Sequence, residues 1–463
     1  MTSPPRSEVD AAPDVDARAR GDAAPDIDAR ARGDAAPDVD GPAEVDDVDA
    51  DALATLATTL DYARRRDYVG WDLYDGESSR LLRALPVDSK WLNLAFQQAP
   101  RRAPVNVRPL LLVEQRRSFM GSALFAMACD RAASLTDDAR YRRDARDLLD
   151  WLVANRSRGY RGFCGGHQHP FQGLSSRNEP GTPDVVSTSY AVRALLAVGD
   201  DDGAAGPTGD ERARTADGAP PAIDDLTDGS GRPSRRAVAR TAADFVLEDL
   251  SFRERDDVGA FVDYRPGDGD GPVTLNANAL GARLLVDLYA AVGEERFRRR
   301  AEAILDYVAS RQTERGGWTY CDPPSGSHLS MDNFHNGFVV ESFARHADVC
   351  GSSRYDGTLD RARRFYRETL FDDDGAPNWD ESSSYPRDVH ASAQGIVTFS
   401  LLGDRAFARR ILDWAVEHLS DGNGRFYFQR GRFHTKRITL MRWCQAWMAY
   451  AVATYLRPTV PVR

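Results

Sequence analysis

A repeated pattern, in which a helical segment is followed by a glycine turn and an aromatic residue, constrains this chain most. In three copies, the first aromatic residue after the glycine lies 13, 12 and 13 residues beyond an aspartate. A helical hairpin that cannot bury its apolar face alone must stack on its neighbours. The copies are Leu149-Asp150-Trp151 with Gly162-Phe163, Leu305-Asp306-Tyr307 with Gly317-Trp318, and Leu412-Asp413-Trp414 with Gly424-Arg425-Phe426, and weaker copies lie at Gly259-Ala260-Phe261 and Gly375 to Trp379.

Apolar residues at three- and four-residue spacing predict about twelve helices, and long alternating strand patterns are missing. We therefore expect an all-α fold, an (α/α) toroid of about six helical hairpins. Short aromatic β-turn segments in its loops would line a central cleft. An open solenoid of the same hairpins is the alternative. The predicted helices span about 52–66, 117–134, 138–156, 184–198, 235–250, 275–293, 296–312, 334–349, 356–370, 389–402, 404–420 and 436–456.

Two segments have low-complexity sequence. Residues 1–50 repeat a 12-residue unit rich in Pro, Ala and Asp without aromatics, which cannot form a packed core. We expect a disordered acidic tail over 1–50 and a toroid domain over 51–463, with a disordered insertion at 199–235. The insertion contains Asp224-Asp225-Leu226-Thr227-Asp228, which matches the magnesium-diphosphate motif of isoprenoid synthases. Because it lies in a linker beside prolines, we interpret the match as chance.

Composition excludes several classes of protein. The chain has 60 Lys+Arg and 71 Asp+Glu, but its first sixty residues hold 15 acids and 5 arginines, so the rest is nearly neutral. Without a basic excess, nucleic-acid binding is not expected. No apolar run approaches the roughly 20 residues of a membrane span, and no secretory signal pattern begins the chain. We therefore expect a cytoplasmic protein.

Two further features of composition bear on the compartment and the source. The five cysteines are odd in number and widely spread, which does not predict a disulfide framework. Only two of the 60 cationic residues are lysine. Lysine scarcity together with an acidic tail is typical of a halophilic archaeon, although high genomic GC content would give the same bias.

The segment Trp71-Asp72-Leu73-Tyr74-Asp75-Gly76 places two carboxylates between two aromatic rings. Aromatic faces stack on sugar rings, and carboxylates accept hydrogen bonds from sugar hydroxyls. The segment therefore predicts sugar binding by Trp71, Asp72, Tyr74 and Asp75. A capped turn without a ligand is the alternative.

Two segments contain candidate catalytic residues. Asp332 precedes a predicted helix, and His335 would lie in its first turn, where the helix dipole favours neutral imidazole. Asp388 and His390 repeat this arrangement at the next predicted inner helix. A neutral histidine beside a carboxylate suits proton transfer near pH 7. We predict that both pairs converge on one cleft, although capping with structural histidines would produce the same sequence.

The C-terminal segment Met441 to Trp447 offers a cation and an aromatic ring. Arg442 could bind a carboxylate or phosphate bidentately, with Trp443 and Gln445 beside it. A core arginine paired with a neighbouring acid is the alternative. Weaker candidates for substrate binding, in the loops or at helix starts, are Asn276, Asn278 and Tyr385.

Cofactor motifs are not found in the sequence. P-loop, GxGxxG and GxSxG patterns are missing, which argues against nucleotide binding and common hydrolase triads. Cys164, His167 and His169 are metal-ligand types within six residues, but no second pair completes a zinc site. We therefore predict no metal and no cofactor.

Five of these motifs together resemble a family encoded in polysaccharide gene clusters. The resemblance covers about 60–456 and implies an α/α toroid; haloarchaeal members of the family take part in N-glycosylation of the surface-layer glycoprotein. The motifs are Trp71-Asp72 with Tyr74-Asp75-Gly76, Asn106 with Arg108-Pro109-Leu110, Asp332-Asn333-Phe334-His335, Tyr385-Pro386 with Asp388 and His390, and Met441-Arg442-Trp443 with Gln445-Ala446-Trp447.

The resemblance implies a role in the synthesis of a surface glycan. The expected reaction is acid–base processing of a sugar, such as a hexuronic acid, on a nucleotide- or lipid-linked glycan. An epimerase, isomerase or hydrolase-like enzyme would fit, with other glycosylation enzymes at the membrane face as partners. The alternative is a non-catalytic glycan-binding or scaffolding toroid.

Overall fold

The structure is a computed structural model that describes residues 49–86, 89–173, 177–198, 223–227, 231, 234–255, 257–269, 271–327 and 329–457. The predicted tail, apart from Asp49 and Ala50, and most of the predicted insertion lie outside these residues. The described residues form fourteen α-helices: α1 Ala50–Arg64, α2 Arg80–Ala84, α3 Lys90–Arg102, α4 Phe119–Thr136, α5 Ala139–Ala154, α6 Val185–Ala197, α7 Arg235–Asp244, α8 Leu275–Val292, α9 Glu295–Ser310, α10 Asn333–Cys350, α11 Asp356–Thr369, α12 Val389–Leu401, α13 Arg405–Leu419 and α14 Trp447–Tyr455.

Six of these helices form a closed inner ring. In the order α4, α6, α8, α10, α12 and α14, each packs on the next, and α14 packs back on α4. Helices α5, α7, α9, α11 and α13 lie outside the inner helices that precede them in the chain, and α1 lies outside α14 and α4. The predicted (α/α) toroid of six hairpins is therefore confirmed, and the ring is closed rather than an open solenoid.

The inner and outer helices differ in how much of their surface is buried, and their sequences differ accordingly. Inner helix α4 buries every residue from Phe119 to Cys129, because neighbours surround it. Outer helix α9 buries one apolar stripe that includes Phe297, Ala301 and Ile304, and exposes charged residues on its other face. An apolar stripe of this kind is typical of a helix that is half covered.

The glycine turns of the repeat contact the backbone of the next outer helix. A Cβ at Gly162 would lie 1.9 Å from the Thr241 carbonyl oxygen of α7, so a side chain cannot fit there. The turn after α13 contacts α1 in the same way, because a Cβ at Gly424 would lie 2.2 Å from the Thr58 oxygen. Among the described residues, contacts of this kind reach five of the six outer helices, all except α5. The others pair Gly259 with Ala303, Gly316 with Arg361 and Gly375 with Arg410.

Amide side chains fasten three of these turns to the inner helices. Asn336 of α10 accepts a hydrogen bond from Trp318 N at 2.8 Å and donates one to the Trp318 oxygen at 3.0 Å. Asn278 of α8 binds both backbone groups of Val262, at 2.8 and 3.1 Å. Gln445 accepts from Phe426 N at 2.7 Å. The loops are therefore held at the ends where the inner helices begin.

Short antiparallel strands join the same loops. Two strands form each of four sheets, and three form the fifth, in the order β11-β10-β9. The strands are β1 Val69–Gly70 paired with β2 Arg116–Arg117, β3 Phe171–Gln172 with β4 Arg177–Asn178, β5 Arg253–Arg255 with β6 Gly259–Phe261, β7 Val273–Thr274 with β8 Cys321–Asp322, and β10 Gln429–Arg430 with β9 Arg387–Asp388 and β11 Thr435–Lys436.

All twelve predicted helices correspond to observed ones, with two differences at the ends of the domain. The last begins at Met441 rather than Lys436, with a π-helical turn over Met441–Ala446 before α14. Helices α2 and α3 were not predicted. The buried face of α3 consists of Asn93, Gln97 and Pro100, so it lacks the apolar periodicity on which the prediction depends. Among the described residues, no helix combines the length and apolarity that a membrane span requires.

Candidate functional site

Aspartates cap three of the six inner helices, α6, α10 and α12, at the end of the ring where the loops gather. Asp184 accepts a hydrogen bond from Ser187 N at 2.7 Å at the start of α6. Asp332 and Asp388 cap α10 and α12 in the same way. Carboxylates are stabilised there by the helix dipoles and by backbone N–H groups. The sequence thus gathers acidic groups around the ring axis.

Asp332 and His335 form a carboxylate–imidazole pair. His335 Nδ1 lies 2.8 Å from Asp332 Oδ2. The carboxylate favours the tautomer in which Nδ1 carries the proton, which leaves the lone pair on Nε2. The side chain of His335 is 16% exposed, whereas that of Asp332 is 3% exposed. The accessible part of the pair is therefore the imidazole, as a general base requires.

His390 is enclosed by aromatic rings. Its ring centroid lies 4.5 Å from that of Phe334, 4.4 Å from that of Trp443 and 4.2 Å from that of Trp447. Neither ring nitrogen has a hydrogen-bond partner among the described residues. Burial, followed by the charges of Arg442 and His335, holds the pKa of His390 well below its ordinary value. The imidazole is therefore neutral near pH 7.

Asp388 does not pair with the His390 ring. Its oxygens accept hydrogen bonds from Gln429 Nε2 at 2.7 Å, from Trp443 Nε1 at 2.9 Å and from His390 N at 2.8 Å. Burial raises the pKa of Asp388 to about 6 despite these donors. The second predicted carboxylate–imidazole pair is therefore absent from the described site, because the Asp388 carboxylate holds Trp443 and the loop containing Gln429.

Arg442 binds an acid within the protein. Its Nε and Nη2 lie 2.8 and 2.6 Å from the two oxygens of Asp72, and both side chains are buried. Burial opposes ionisation of Asp72, but the guanidinium outweighs it and holds the pKa of that carboxyl well below its usual range. Asp75 makes a similar contact with Arg108 at 2.9 Å, although burial raises its pKa to about 6. The geometry is that of a core arginine paired with a neighbouring acid.

The predicted aromatic residues occupy different depths. Tyr74 is partly exposed and meets the rings of His167 and Phe171 edge-on, at 6.1 and 5.2 Å. Trp71 is also partly exposed and donates from Nε1 to the Val113 oxygen at 3.3 Å. Trp443 is buried, whereas Tyr385 is exposed at the outer edge of the loops. Tyr74 and Trp71 thus have the accessible ring surfaces.

The predicted amides are mainly bound to backbone. Asn278 and Gln445 hold the glycine turns, so their polar groups face the protein. Asn276 differs, because its buried Oδ1 has no partner among the described residues. Of the three, Asn276 retains a free acceptor near the start of α8.

Four site residues were not predicted as site residues. His167, Tyr264, Arg265 and Tyr320 lie deep in the protein but keep solvent-accessible surface, and from this we infer a cavity between the loops. Each follows a glycine turn by a few residues, so position within the repeat could have identified them. Tyr320 lies 4.7 Å from the His335 ring.

The protonation of these residues follows from burial. Burial and the charge of Arg442 lower the pKa of His167 to about 4. Burial raises the pKa of the Tyr264 and Tyr320 hydroxyls above their ordinary value, so both remain protonated near pH 7. The cavity therefore combines the neutral imidazole of His167 with hydroxyl donors.

One group of possible metal ligands occurs in the described part of the chain, away from this cavity. Ligand atoms of Glu302, His346 and Cys350 lie within 4.8 Å of one another, between α9 and the later half of α10. Arg298 already lies 2.9 Å from Glu302 Oε1 and supplies the positive charge there. We assign no cation to this group.

The fold and the cavity define an α/α toroid with an imidazole-containing site at one end. Comparison of the sequence with known protein-family models gave no match, and comparison with curated proteins gave none. Among solved structures, the chain is similar to a sugar epimerase from a ruminal bacterium, with a TM-score of 0.53 and 14% identity over 73% of this chain and 87% of the other.

Two further structures extend this likeness. Cellobiose 2-epimerase from Bacillus thermoamylovorans gives a TM-score of 0.51 and 11% identity over 73% of this chain and 87% of the other. An unsaturated glucuronyl hydrolase from a Bacillus species gives a TM-score of 0.50 and 14% identity over 88% of this chain and 94% of the other. These likenesses establish the α/α-toroid fold.

Proposed function

We propose that this protein is a carbohydrate-active enzyme that epimerises or isomerises a sugar by acid–base chemistry. The observation that carries the proposal is the Asp332–His335 pair, with its accessible imidazole beside Tyr320. In this scheme, His335 Nε2 takes a proton from the carbon next to a carbonyl group. A hydroxyl in the cavity returns a proton to the intermediate, and Tyr320, which remains protonated near pH 7, is the candidate.

The carboxylates support this reaction over glycoside hydrolysis. Hydrolysis ordinarily requires one protonated carboxyl and one carboxylate on either side of the scissile bond. Here Asp72 is bound to Arg442, Asp388 to three donors, and Asp332 to His335. Because these acids are engaged within the protein, the imidazole is the better-placed proton carrier.

The substrate proposed is a sugar with an anionic group, such as a hexuronic acid. Tyr74 and Trp71 would stack on sugar rings at the cavity. Arg265 is a better partner for a substrate carboxylate than Arg442, since Arg442 is neutralised by Asp72. Arg265 keeps accessible surface and lies over the Tyr264 ring at 4.6 Å.

The finer biological role rests on the sequence motifs. They resemble those of the family that includes archaeal glycosylation protein Q, and the solved structures of the same fold include sugar epimerases. We therefore propose a role in surface-glycan synthesis, including N-glycosylation of a surface-layer glycoprotein. The substrate would be a nucleotide- or lipid-linked glycan in the cytoplasm. Mass spectrometry of lipid-linked and protein-linked glycans after gene deletion would identify the step.

Deuterium incorporation tests the reaction directly. The purified protein is incubated in D₂O with free hexoses, hexuronic acids and disaccharides, and the products are examined by NMR and mass spectrometry. We expect deuterium on a sugar carbon together with the epimer or isomer. Glycosidic cleavage without carbon-bound deuterium would contradict the proposal in favour of a hydrolase, and tight binding without any exchange would favour a glycan-binding toroid.

Variants then assign the proton carrier. His335→Ala should lower the exchange rate by about 10² or more, the range typical of a lost general base. Asp332→Asn should have a smaller effect, because imidazole remains but loses its orienting carboxylate. His418→Ala is the matched control, because this partly exposed histidine lies on outer helix α13. Equal rates for all three variants would remove His335 from the mechanism.

A further inference from the structure

Large apolar side chains are exposed mainly on one surface beside the cavity. Seven of the eight that the described residues expose lie in residues 80–86, 89–112 and 429–437, which we call the apolar–basic rim. Trp91 is 71% exposed and Phe433 is 92% exposed. Soluble monomers rarely expose such patches without a partner. The other five are Leu81, Leu85, Val105, Leu110 and Leu112.

The same residues are strongly basic. The apolar–basic rim contains ten Arg and Lys residues, and the one acid in the sequence spans 80–112 and 429–437 is Asp88, in a chain whose formal charge is −11. Arg108 is buried against Asp75, and Arg80 and Arg83 contact Glu114. Lys90 Nζ lies over the Trp91 ring at 5.6 Å. The other cations of the rim are Arg101, Arg102, Arg430, Arg432, Lys436 and Arg437.

The two parts of the rim are in contact and border the cavity. Lys436 Nζ of β11 donates to the backbone oxygens of Arg101 and Arg102, at 3.4 and 3.5 Å, where α3 ends. The Arg101 guanidinium lies over the Tyr74 ring at 5.4 Å. The two parts of the rim are therefore joined where α3 ends, and Arg101 connects them to Tyr74 of the proposed active site.

We infer that the apolar–basic rim docks on a membrane surface that contains anionic phospholipids. Aromatic and aliphatic side chains that insert among headgroups, flanked by Arg and Lys, are what such a surface favours. A second copy of the rim would bring like charges together. The acidic segment 1–48 matches the charge, but it contains no aromatic residue and no leucine, so it matches the apolar part poorly.

Docking would place the cavity mouth at the membrane. This consequence rests on the proposed function and assigns a lipid-linked glycan, rather than a soluble sugar nucleotide, as its substrate. Docking itself depends only on the composition and exposure of the rim, so it can be measured without sugar turnover.

Vesicle co-sedimentation of the full chain tests the inference. The probes are unilamellar vesicles of phosphatidylcholine, and of phosphatidylcholine mixed equally with phosphatidylglycerol. We expect binding to the anionic vesicles alone, weakened by salt. Arg102→Glu with Arg432→Glu and Arg437→Glu should weaken binding about a hundredfold, since each cation near such a surface contributes roughly a fivefold effect. Trp91→Ser with Phe433→Ser should also weaken it.

A matched control carries the same change of charge elsewhere. Arg299→Glu with Arg363→Glu and Arg364→Glu alters three exposed arginines on outer helices α9 and α11, and should leave binding unchanged. Three results would overturn the inference. They are a failure to bind anionic vesicles, equal binding to both vesicle types, and equal losses of binding in the two triple variants. Self-association that depends on Trp91 and Phe433 without vesicle binding would also overturn it. A protein that binds vesicles but exchanges no deuterium would contradict the proposed function and leave docking intact.

Discussion

Individual residues in the centre of the ring combine polar atoms with apolar surroundings. His390 is the clearest case, because both ring nitrogens are buried without partners among three aromatic rings. An imidazole in such a place costs stability when it must gain a proton. The free energy of unfolding therefore depends on pH through this histidine, and it should fall as the pH decreases.

Replacing His390 with Phe should reduce the pH dependence of stability. The unfolded chain binds a proton at this histidine near pH 6.5, whereas the folded chain does so only at much lower pH. The free energy of unfolding therefore falls as pH decreases below about 6.5, by up to about 1.4 kcal/mol per pH unit for this group. His390→Phe should lose that part of the slope in urea unfolding at about pH 5 and pH 7. His434→Phe, at an exposed position, is the control, and an unchanged slope for His390→Phe would contradict the burial argument.

At this scale, the sequence predicted residue types better than their contacts. The Asp332–His335 pair was predicted because a cap and the first turn of a helix are local in sequence. The partners of Arg442 and Asp388 were not, because Asp72 and Gln429 reach them only after the ring closes. Arg265 and Tyr320 gave no local signal beyond their places after the glycine turns.

Among the structural elements, the glycine turn determines how one hairpin meets the next. Gly424 and Gly422 lie in the same turn, both with positive φ, of 88° and 73°. A Cβ at Gly424 would lie 2.2 Å from the Thr58 oxygen of α1, whereas a Cβ at Gly422 would meet nothing within 4 Å. The two positions therefore separate backbone strain from helix packing.

Alanine at these two glycines should have unequal effects. Gly422→Ala should cost about 1 kcal/mol, the strain of a left-handed backbone conformation. Gly424→Ala should cost about 3 kcal/mol or more, since α1 must also move. Urea unfolding followed by circular dichroism would measure both free energies. Similar losses for the two variants would mean that the contact with α1 contributes little.

Helices were predictable from sequence to the extent that they bury apolar side chains. The twelve helices of the two rings show that periodicity, and the repeat indicated how they stack. Helix α3 was not predicted because its buried face contains the amides Asn93 and Gln97 instead of apolar side chains. The short strands were not predicted because two or three residues are too few to show alternation of apolar and polar side chains.

For the domain as a whole, completion of the outer ring depends on α1. Leu56 and Leu60 of α1 are fully buried, and Asp49, which caps this helix, accepts hydrogen bonds from Arg409 and Tyr455. The first helix of the domain thus completes the outer ring beside its last helices.

Truncation should show this dependence. Removing residues 1–48 should leave the thermal midpoint unchanged, because α1 and its cap remain. Removing residues 1–65 should cost about 5 kcal/mol or more, since buried leucines of α1 and their partners lose their contacts. Differential scanning calorimetry would compare the two. Equal midpoints for both truncated chains would mean that the closed inner ring is stable without α1.

A closed ring of six helical hairpins cannot gain or lose a hairpin without changing the packing angle between every adjacent pair. Lineages that share this architecture are therefore free to vary in their connecting loops rather than in the number of hairpins. Helices α6 and α7 pack on each other although a long segment joins them, and we expect the glycine turns that fix the circumference to tolerate change least.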